Sequence, residues 1–332
     1  MEIRGGSGQV PYCFLDKQIL ITGGTGTFGH FFVKWILEKE KPKRIIIFSR
    51  DELKQHEMRM NGYDDERIRF FIGDVRDRER LRRALHGVDI VIHAAALKQV
   101  PACEYNPYEA VKTNVIGVQN LIESAIDENV ERVMGISTDK ACSPSNTYGG
   151  TKFLSERLFI NGNAYASGTK TRFSCVRYGN VIGSRGSVVP LMISQRDEGQ
   201  PITITDPRMT RFWLKPEKAC EIVASAIKVM RGGEIFIPKI PSVRILDLKR
   251  AIAPKSDNKF IGIREGEKLH EALISEQEAP MTIDAGDFFI IESPQNWFQR
   301  GTINGEPFKK AQYVSNENDD FLSINDIAKG IM

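Results

Sequence analysis

Three groups of residues in this chain have types and spacings that could do chemistry. The first is Ser137-Thr138-Asp139-Lys140, followed by Tyr148-Gly149-Gly150-Thr151-Lys152. Tyr148 and Lys152 stand four apart, which puts them on one face of a helix. An ammonium near a phenol favours the phenolate and draws a reference pKa of about 10 towards working pH. Tyr148 therefore reads as a base and Lys152 as its activator. Spacing alone is weak evidence, because Tyr108 and Lys112 form a second such pair. Context separates them: only Tyr148 follows a strand end that carries Ser and Thr hydroxyls and a charged pair.

The second group is Gly23, Gly26 and Gly29, a G-x-x-G-x-x-G turn between the apolar run QILIT and the helical HFFVKWILEKE. Small residues let the backbone approach a pyrophosphate, and the helix N-terminus supplies free N–H donors and partial positive charge. This context favours a dinucleotide site over a plain turn. The third group, Ser49-Arg50-Asp51-Glu52-Leu53-Lys54, ends the second strand, where an NAD enzyme usually places an acid against the ribose. Arg50 with a nearby hydroxyl suits a 2′-phosphate, so NADP is expected. The competing reading makes Arg50 and Lys54 solvated charges at a helix start. Asp74 and Val75 at the next strand end are expected near the adenine, and Ala94, Ala95 and Ala96 to leave room for the cofactor.

Elements of a definite kind must position these groups. Apolar runs at Gln18 to Thr22, Arg44 to Phe48, Arg69 to Gly73, Asp89 to His93 and Arg132 to Ser137 alternate with helical segments. That alternation predicts parallel βαβ units, an α/β chain with a Rossmann-like doubly wound sheet. After about Gly179 turn residues crowd together, and a smaller α/β unit is expected. The boundaries are 1–14 for a flexible extension, 15–180 for the nucleotide domain and 181–332 mainly for the second unit, some of whose segments return to the first.

The 332 residues carry a net charge of only +3, which excludes a broad basic surface for nucleic acid. No run approaches the ~18 apolar residues of a membrane helix, and the N-terminal stretch lacks the apolar core of a secretory signal. A soluble cytoplasmic protein is expected. Cys13, Cys103, Cys142, Cys175 and Cys220 show no metal spacing, and neither do His30, His56, His86, His93 and His270, so no metal is expected. Trp213 reads as core.

Together GGTGTFG, SRDELK, GDVRD, HAAALKQVP, STDKACSP, YGGTK, RYGNVIGSRGSVVP and MTRFW resemble the extended short-chain dehydrogenase/reductases. Within these they are similar to the inverting UDP-N-acetylglucosamine 4,6-dehydratases of pseudaminic acid biosynthesis. The resemblance spans about Leu15 to Glu271. It departs at Glu265, where the family typically has Pro, which bears on the geometry around Arg264.

The resemblance implies roles. Tyr148, held by Lys152, takes the 4-hydroxyl proton of the sugar while hydride passes to tightly bound NADP+; Lys140 removes the carbon-5 proton; Asp139 protonates the departing 6-hydroxyl. Hydride then returns to carbon 6, and reprotonation from the opposite face gives a 4-keto-6-deoxy-L-arabino sugar nucleotide. Thr138 polarises the reacting oxygen. As a base Lys140 needs a pKa well below about 10.4, which burial and the cationic Lys152 are expected to provide; the competing reading simply pairs it with Asp139. Thr25, Thr27, Phe28 and Lys98 join the cofactor site, and Lys98, Asn180, Val181, Arg185, Arg211 and Arg264 the UDP-sugar site, in an expected homo-oligomer. A retaining dehydratase or an epimerase would share Tyr148 and Lys152, and a non-catalytic NADP-binding protein would need neither.

Overall fold

The computed structural model describes residues 13–184, 186–293, 297 and 303–331. The apolar runs become the strands β1 (Gln18–Thr22), β2 (Arg44–Ser49), β3 (Ile68–Ile72), β4 (Ile90–His93), β5 (Arg132–Thr138) and β6 (Arg172–Tyr178). Ile19, Leu20 and Ile21 are all fully buried, as expected of a strand covered on both faces. All six are parallel in the order β3-β2-β1-β4-β5-β6, with Ile19 opposite Ile45 on one side and Ile90 on the other. The winding direction reverses between β1 and β4, and this crevice beyond the strand ends is where such sheets bind ligands.

The same sheet continues past β6. The strand β7 (Glu234–Pro238) joins it in parallel, and β8 (Thr282–Asp284), β9 (Phe288–Glu292) and β10 (Glu306–Pro307) add antiparallel, in the order β10-β8-β9-β7-β6. Ten strands thus form one sheet among the described residues. The chain between β6 and β7 and after β7 also builds a smaller core of Ile182, Met192, Trp213, Val243, Leu248 and Ile327. Around it run short strands: Asn180–Val181 pairs with Thr210–Leu214, and Asn258–Phe260 with Ile202–Ile204.

The helices α1 (Thr27–Lys39), α2 (Glu52–Met60), α3 (Arg78–Leu85), α4 (Gly117–Asp127), α5 (Thr147–Tyr165) and α6 (Pro216–Val229) cover the sheet. α1 buries Gly29, Phe32, Val33 and Ile36, the i, i+3, i+4, i+7 stripe of a core-facing helix. Residues 1–12 of the expected flexible extension lie outside the described residues, but its last residue, Phe14, is fully buried edge-on to Phe32. Its benzyl side chain is out of water within the main core, so Phe14 belongs to the first unit rather than to the extension.

Candidate active site

The glycine turn is shaped for close approach. Gly23 has φ +66°, and a Cβ there would lie 2.9 Å from the Ala95 Cα; a methyl on Gly29 would strike the Gly24 carbonyl. The start of α1 has no side-chain cap and no acid in its first turn, so its backbone donors suit an anion. Thr22 Oγ1 ties β1 to β4, accepting from Ala95 N at 3.2 Å and meeting His93 Nδ1 at 2.9 Å. Thr25 is buried in the turn and Thr27 opens the helix. The Phe28 ring stacks on Phe32 and packs on the core, which leaves its backbone rather than its ring to the crevice. This donor set fits a dinucleotide pyrophosphate.

At the end of β2, Ser49 Oγ accepts from Gln55 Nε2 at 3.0 Å. Arg50 is half exposed, with Nη1 3.6 Å from Asp74 Oδ2, while Asp74 is held by two hydrogen bonds from the Arg76 guanidinium. Lys54 pairs with Asp51 at 2.9 Å, at the N-cap of α2. Of the two cations, Arg50 is the one held at the strand end. Val75 is buried against Gly117. Ala94 and Ala95 lead into the loop with Lys98. That residue stays solvent-accessible, yet the surrounding protein lowers its ammonium pKa, as at the mouth of a cleft.

The end of β5 and the start of α5 bring the chemistry together. Asn146 caps α5, accepting from Gly149 N at 2.8 Å, and a methyl on Gly149 would strike the Lys140 carbonyl. The helix therefore lies directly on the Asp139–Ala141 turn. Thr138 Oγ1 donates to Asp139 Oδ1 at 2.9 Å, and Lys140 Nζ lies 3.1 Å from that oxygen. Asp139 is 1% exposed, and its Oδ2 has no partner among the described residues.

Two expectations are corrected here. Burial would lower the Lys140 pKa, but the charges of Asp139 and Glu271 outweigh it and push the pKa above the ordinary lysine value, so Lys140 is held as an ammonium. Folding brings Glu271, 131 positions further along the sequence, to 3.3 Å from Nζ through its Oε1, a charge that the cations near Lys140 in sequence do not announce. Tyr148 is likewise pushed up to about 12 by burial, with Lys140 and Thr138 pulling it back. Lys152 Nζ donates to the Ile136 carbonyl at 2.7 Å, and burial lowers its pKa.

Two further residues escaped the sequence reading. Asn114 lies in a widened helical turn, Lys112–Ile116, where its side chain bonds both backbone groups of Leu97 and Thr151 Oγ1, tying the loop after β4 to α5. Lys268 Nζ donates to the Cys142 carbonyl at 2.6 Å. Nothing in the local pattern signalled either.

The second pair separates from the first as context indicated. Tyr108 is 65% exposed, with Lys112 Nζ stacked 4.6 Å over its ring and paired with Glu109. On the substrate side, Asn180 Oδ1 is buried without a partner among the described residues, beside the half-buried Val181. Arg211 gives its guanidinium to the carbonyls of Thr210, Lys268 and Leu269, and reaches the site as charge, opposing the Lys140 ammonium. Arg264 is exposed, its amide donating to Glu267 Oε2. Arg185 lies outside the described residues. Among the described residues no His, Cys, Asp and Glu group could hold a metal ion, and no helix is long and apolar enough to cross a membrane.

A doubly wound parallel sheet with a glycine-turn anion cradle and a Thr-Asp-Lys/Tyr cluster around the buried Asp139 and Tyr148 at the next switch-side strand defines the class: a Rossmann-like fold of the extended short-chain dehydrogenase/reductase kind. The chain belongs to the polysaccharide biosynthesis protein family, whose pattern it matches over residues 19–293. It is 52% identical over 84% of its length, and 83% of the relative's, to the UDP-N-acetylglucosamine 4,6-dehydratase (inverting) of Campylobacter jejuni. It is 43% identical, over 84% of its length and 83% of the relative's, to the UDP-glucose 4-epimerase of Rickettsia canadensis. The solved structure of Pen from Bacillus thuringiensis superposes with a TM-score of 0.88 at 38% identity, covering 95% of this chain and 97% of that one.

Proposed function

We infer that the protein is an NADP-dependent UDP-N-acetylglucosamine 4,6-dehydratase that inverts carbon 5. The observation that carries this reading is the Asp139-Lys140 pair beside Tyr148, its carboxylate buried: a proton donor and a proton acceptor 3.1 Å apart at one strand end are what loss of water requires and what 4-epimerisation does not use. The half-identical Campylobacter relative supports the same reaction.

The backbone of Gly23 to Gly29 would hold the cofactor pyrophosphate, Arg50 its 2′-phosphate, and the Ala94–Ala95 bend its flank. When bound, the nicotinamide supplies a hydride acceptor for carbon 4 and a donor for carbon 6. Tyr148 takes the 4-hydroxyl proton; its burial makes the phenolate costly, and Lys140 and Thr138 are the groups that offset this. Thr138 orients the resulting 4-ketone, which acidifies the carbon-5 hydrogen. Lys140, once it has given up its own extra proton, takes that hydrogen as a proton, and Asp139 gives a proton to the 6-hydroxyl. Asn180 faces the sugar nucleotide with a buried acceptor, Lys98 stands at the mouth, and Arg211 and Arg264 contribute charge. The reading includes a nucleotide unit over residues 15–180, a sugar-nucleotide unit mainly beyond it, a homo-oligomeric state, the cytoplasm as the site of action, and a product that enters pseudaminic acid synthesis.

Incubation with UDP-N-acetylglucosamine in deuterated water, followed by NMR of the sugar, tests the reading. Expected are loss of water, deuterium at carbon 5 and the L-arabino configuration. Return of a 4-epimer with its 6-hydroxyl intact would establish the epimerase instead.

A further inference from the structure

Glu271 is a buried ionisable group at the site that the reaction scheme leaves without a task. It precedes the short strand Ala272–Ile274, and its backbone is fixed on both sides: its N–H donates to Ser315 Oγ at 3.0 Å, and its carbonyl accepts from Ser315 N at 2.8 Å. The residue is 3% exposed. Its Oε1 lies 3.3 Å from Lys140 Nζ, and Oε2, 3.9 Å from Lys268 Nζ, has no hydrogen-bond partner among the described residues. Asp139 mirrors it on the other side of the same ammonium, with Oδ1 at 3.1 Å and Oδ2 equally unpartnered. The other charged or titratable groups facing this cluster are Arg211, Tyr148 and Lys268.

One ammonium between two buried carboxylates is more than a structural ion pair needs. A single partner neutralises the lysine; the second is a buried carboxylate whose other cation, Lys268, stands 3.9 Å from Oε2 without hydrogen-bonding it, a contact that offsets its desolvation only in part. We propose that Glu271 is a positioning residue that acts through Lys140, fixing the direction of its nitrogen and stabilising its return to the ammonium each time it removes the carbon-5 proton. This rests on the dehydratase reading.

The protons balance without an outside donor. One N–H bond of the Lys140 ammonium breaks and one O–H bond forms on Asp139, so a single internal transfer prepares both the base and the acid. The amine then takes the carbon-5 hydrogen as a proton, the C–H electron pair passing into the enolate of the 4-ketone. Asp139 gives its proton to the 6-hydroxyl, the enolate electrons form the C5–C6 double bond, and the C–O bond breaks to release water. Lys140 ends as an ammonium and Asp139 as a carboxylate, while Glu271 takes no part in the transfers and holds the nitrogen on which they pivot.

The test compares Glu271→Gln and Glu271→Asp with the unaltered protein, using UDP-N-acetylglucosamine in deuterated water across a pH series. Glu271→Gln is expected to slow deuterium entry at carbon 5 by about 10²-fold and to move the pH profile, with KM for the sugar nucleotide little changed; Glu271→Asp, which keeps the charge, recovers part of the rate. A Glu271→Gln rate and profile equal to the unaltered protein's overturn the inference and leave the dehydratase reading standing. No deuterium entry in the unaltered protein sinks the dehydratase reading and the inference with it. Should Glu271→Gln not fold, NMR titration of labelled Lys140 in Glu271→Asp beside the unaltered protein decides: a lysine titration that moves with the withdrawn carboxylate supports the clamp, and an identical titration overturns it.

Discussion

Lys140 Nζ and Asp139 Oδ1 are 3.1 Å apart at the end of β5, with the carboxylate almost wholly buried. The residues are adjacent in sequence, yet they face one another across a charge rather than pointing to opposite faces as a regular strand would have them, because the chain turns into a short helical turn at Asp139. Replacing Lys140 by Ala therefore removes both the proposed carbon-5 base and the cation that most opposes the burial of a Tyr148 phenolate. Deuterium entry at carbon 5 is expected to fall by about 10²-fold or more, and NADP binding, measured by fluorescence titration, to stay unchanged. An unaltered exchange rate would remove Lys140 from its role.

Gly149 and Gly150 are neighbours on α5 with opposite surroundings. A methyl at Gly149 meets the Lys140 carbonyl, whereas one at Gly150 meets nothing within 4 Å. Gly149→Ala is expected to lift the helix from the turn, costing about 1–3 kcal/mol and most of the activity. Gly150→Ala should stabilise by about 0.4–1 kcal/mol through the unfolded chain. Thermal melts of the pair check the contrast; equal effects would show that the helix does not rest on the turn.

Much of this arrangement was legible in the sequence for a physical reason. Strands buried on both faces are continuous apolar runs, so QILIT, RIIIF and IVIH announced themselves, and the Gly-rich turn fixed where the first helix starts. EIFIP was equally legible as a strand, but nothing local told which sheet edge it would extend. Glu271 was hidden because its meaning lies in a lysine brought near by folding, and its own neighbourhood reads as a charged loop. The wrong sign for the Lys140 pKa follows from the same gap.

Arg177 is fully buried and binds two carboxylates, Glu156 through Nε and Nη2 and Glu278 through Nη1 and Nη2, at 2.6 to 2.9 Å. Burial alone would raise the Glu278 pKa; the Arg177 hydrogen bonds and charge bring it down to about 2. Glu156 also accepts from Ser137 Oγ, so this network sits directly behind the strand end that carries Thr138 and Asp139. Arg177→Met strands two buried carboxylates and is expected to cost about 3–5 kcal/mol. A denaturant melt within 1 kcal/mol of the parent, taken as roughly the scale of an exposed pair, would contradict this.

Arg50, half exposed at the end of β2, is the cation proposed to meet a 2′-phosphate. Arg50→Asp is expected to weaken NADP binding roughly 10- to 100-fold, the loss of one or two charge-assisted hydrogen bonds, while leaving NAD little affected. Titrations with both cofactors read the ratio directly. If NADP and NAD affinities move together, selection between them lies elsewhere.

His93 gives the fold an acid sensitivity that the carboxylates do not explain. The ring is 1% exposed, its Nδ1 meets Thr22 Oγ1, and its Nε2 has no partner among the described residues. Burial, with Lys152 adding to it, lowers its pKa from 6.5 to about 3. The unfolded chain therefore takes up a proton below pH 6.5 that the folded protein refuses until about pH 3. Stability from this group is complete above pH 6.5 and declines as pH falls, by about 1.4 kcal/mol per unit. Glu278, titrating near 2, contributes only further down, and the half-buried Glu40, pushed above the ordinary carboxylate range, contributes equally to both proteins, so between pH 6.5 and about 5 the difference between them reports His93. Over it His93 should account for about 2 kcal/mol. His93→Asn keeps a polar partner for Thr22 and cannot titrate, so urea melts of the two proteins at both ends of the window should differ in their pH dependence by that amount, the other histidines cancelling. Identical pH slopes would mean that the ring is protonated inside the fold, and that the Thr22 contact ties β1 to β4 through an imidazolium rather than a neutral imidazole.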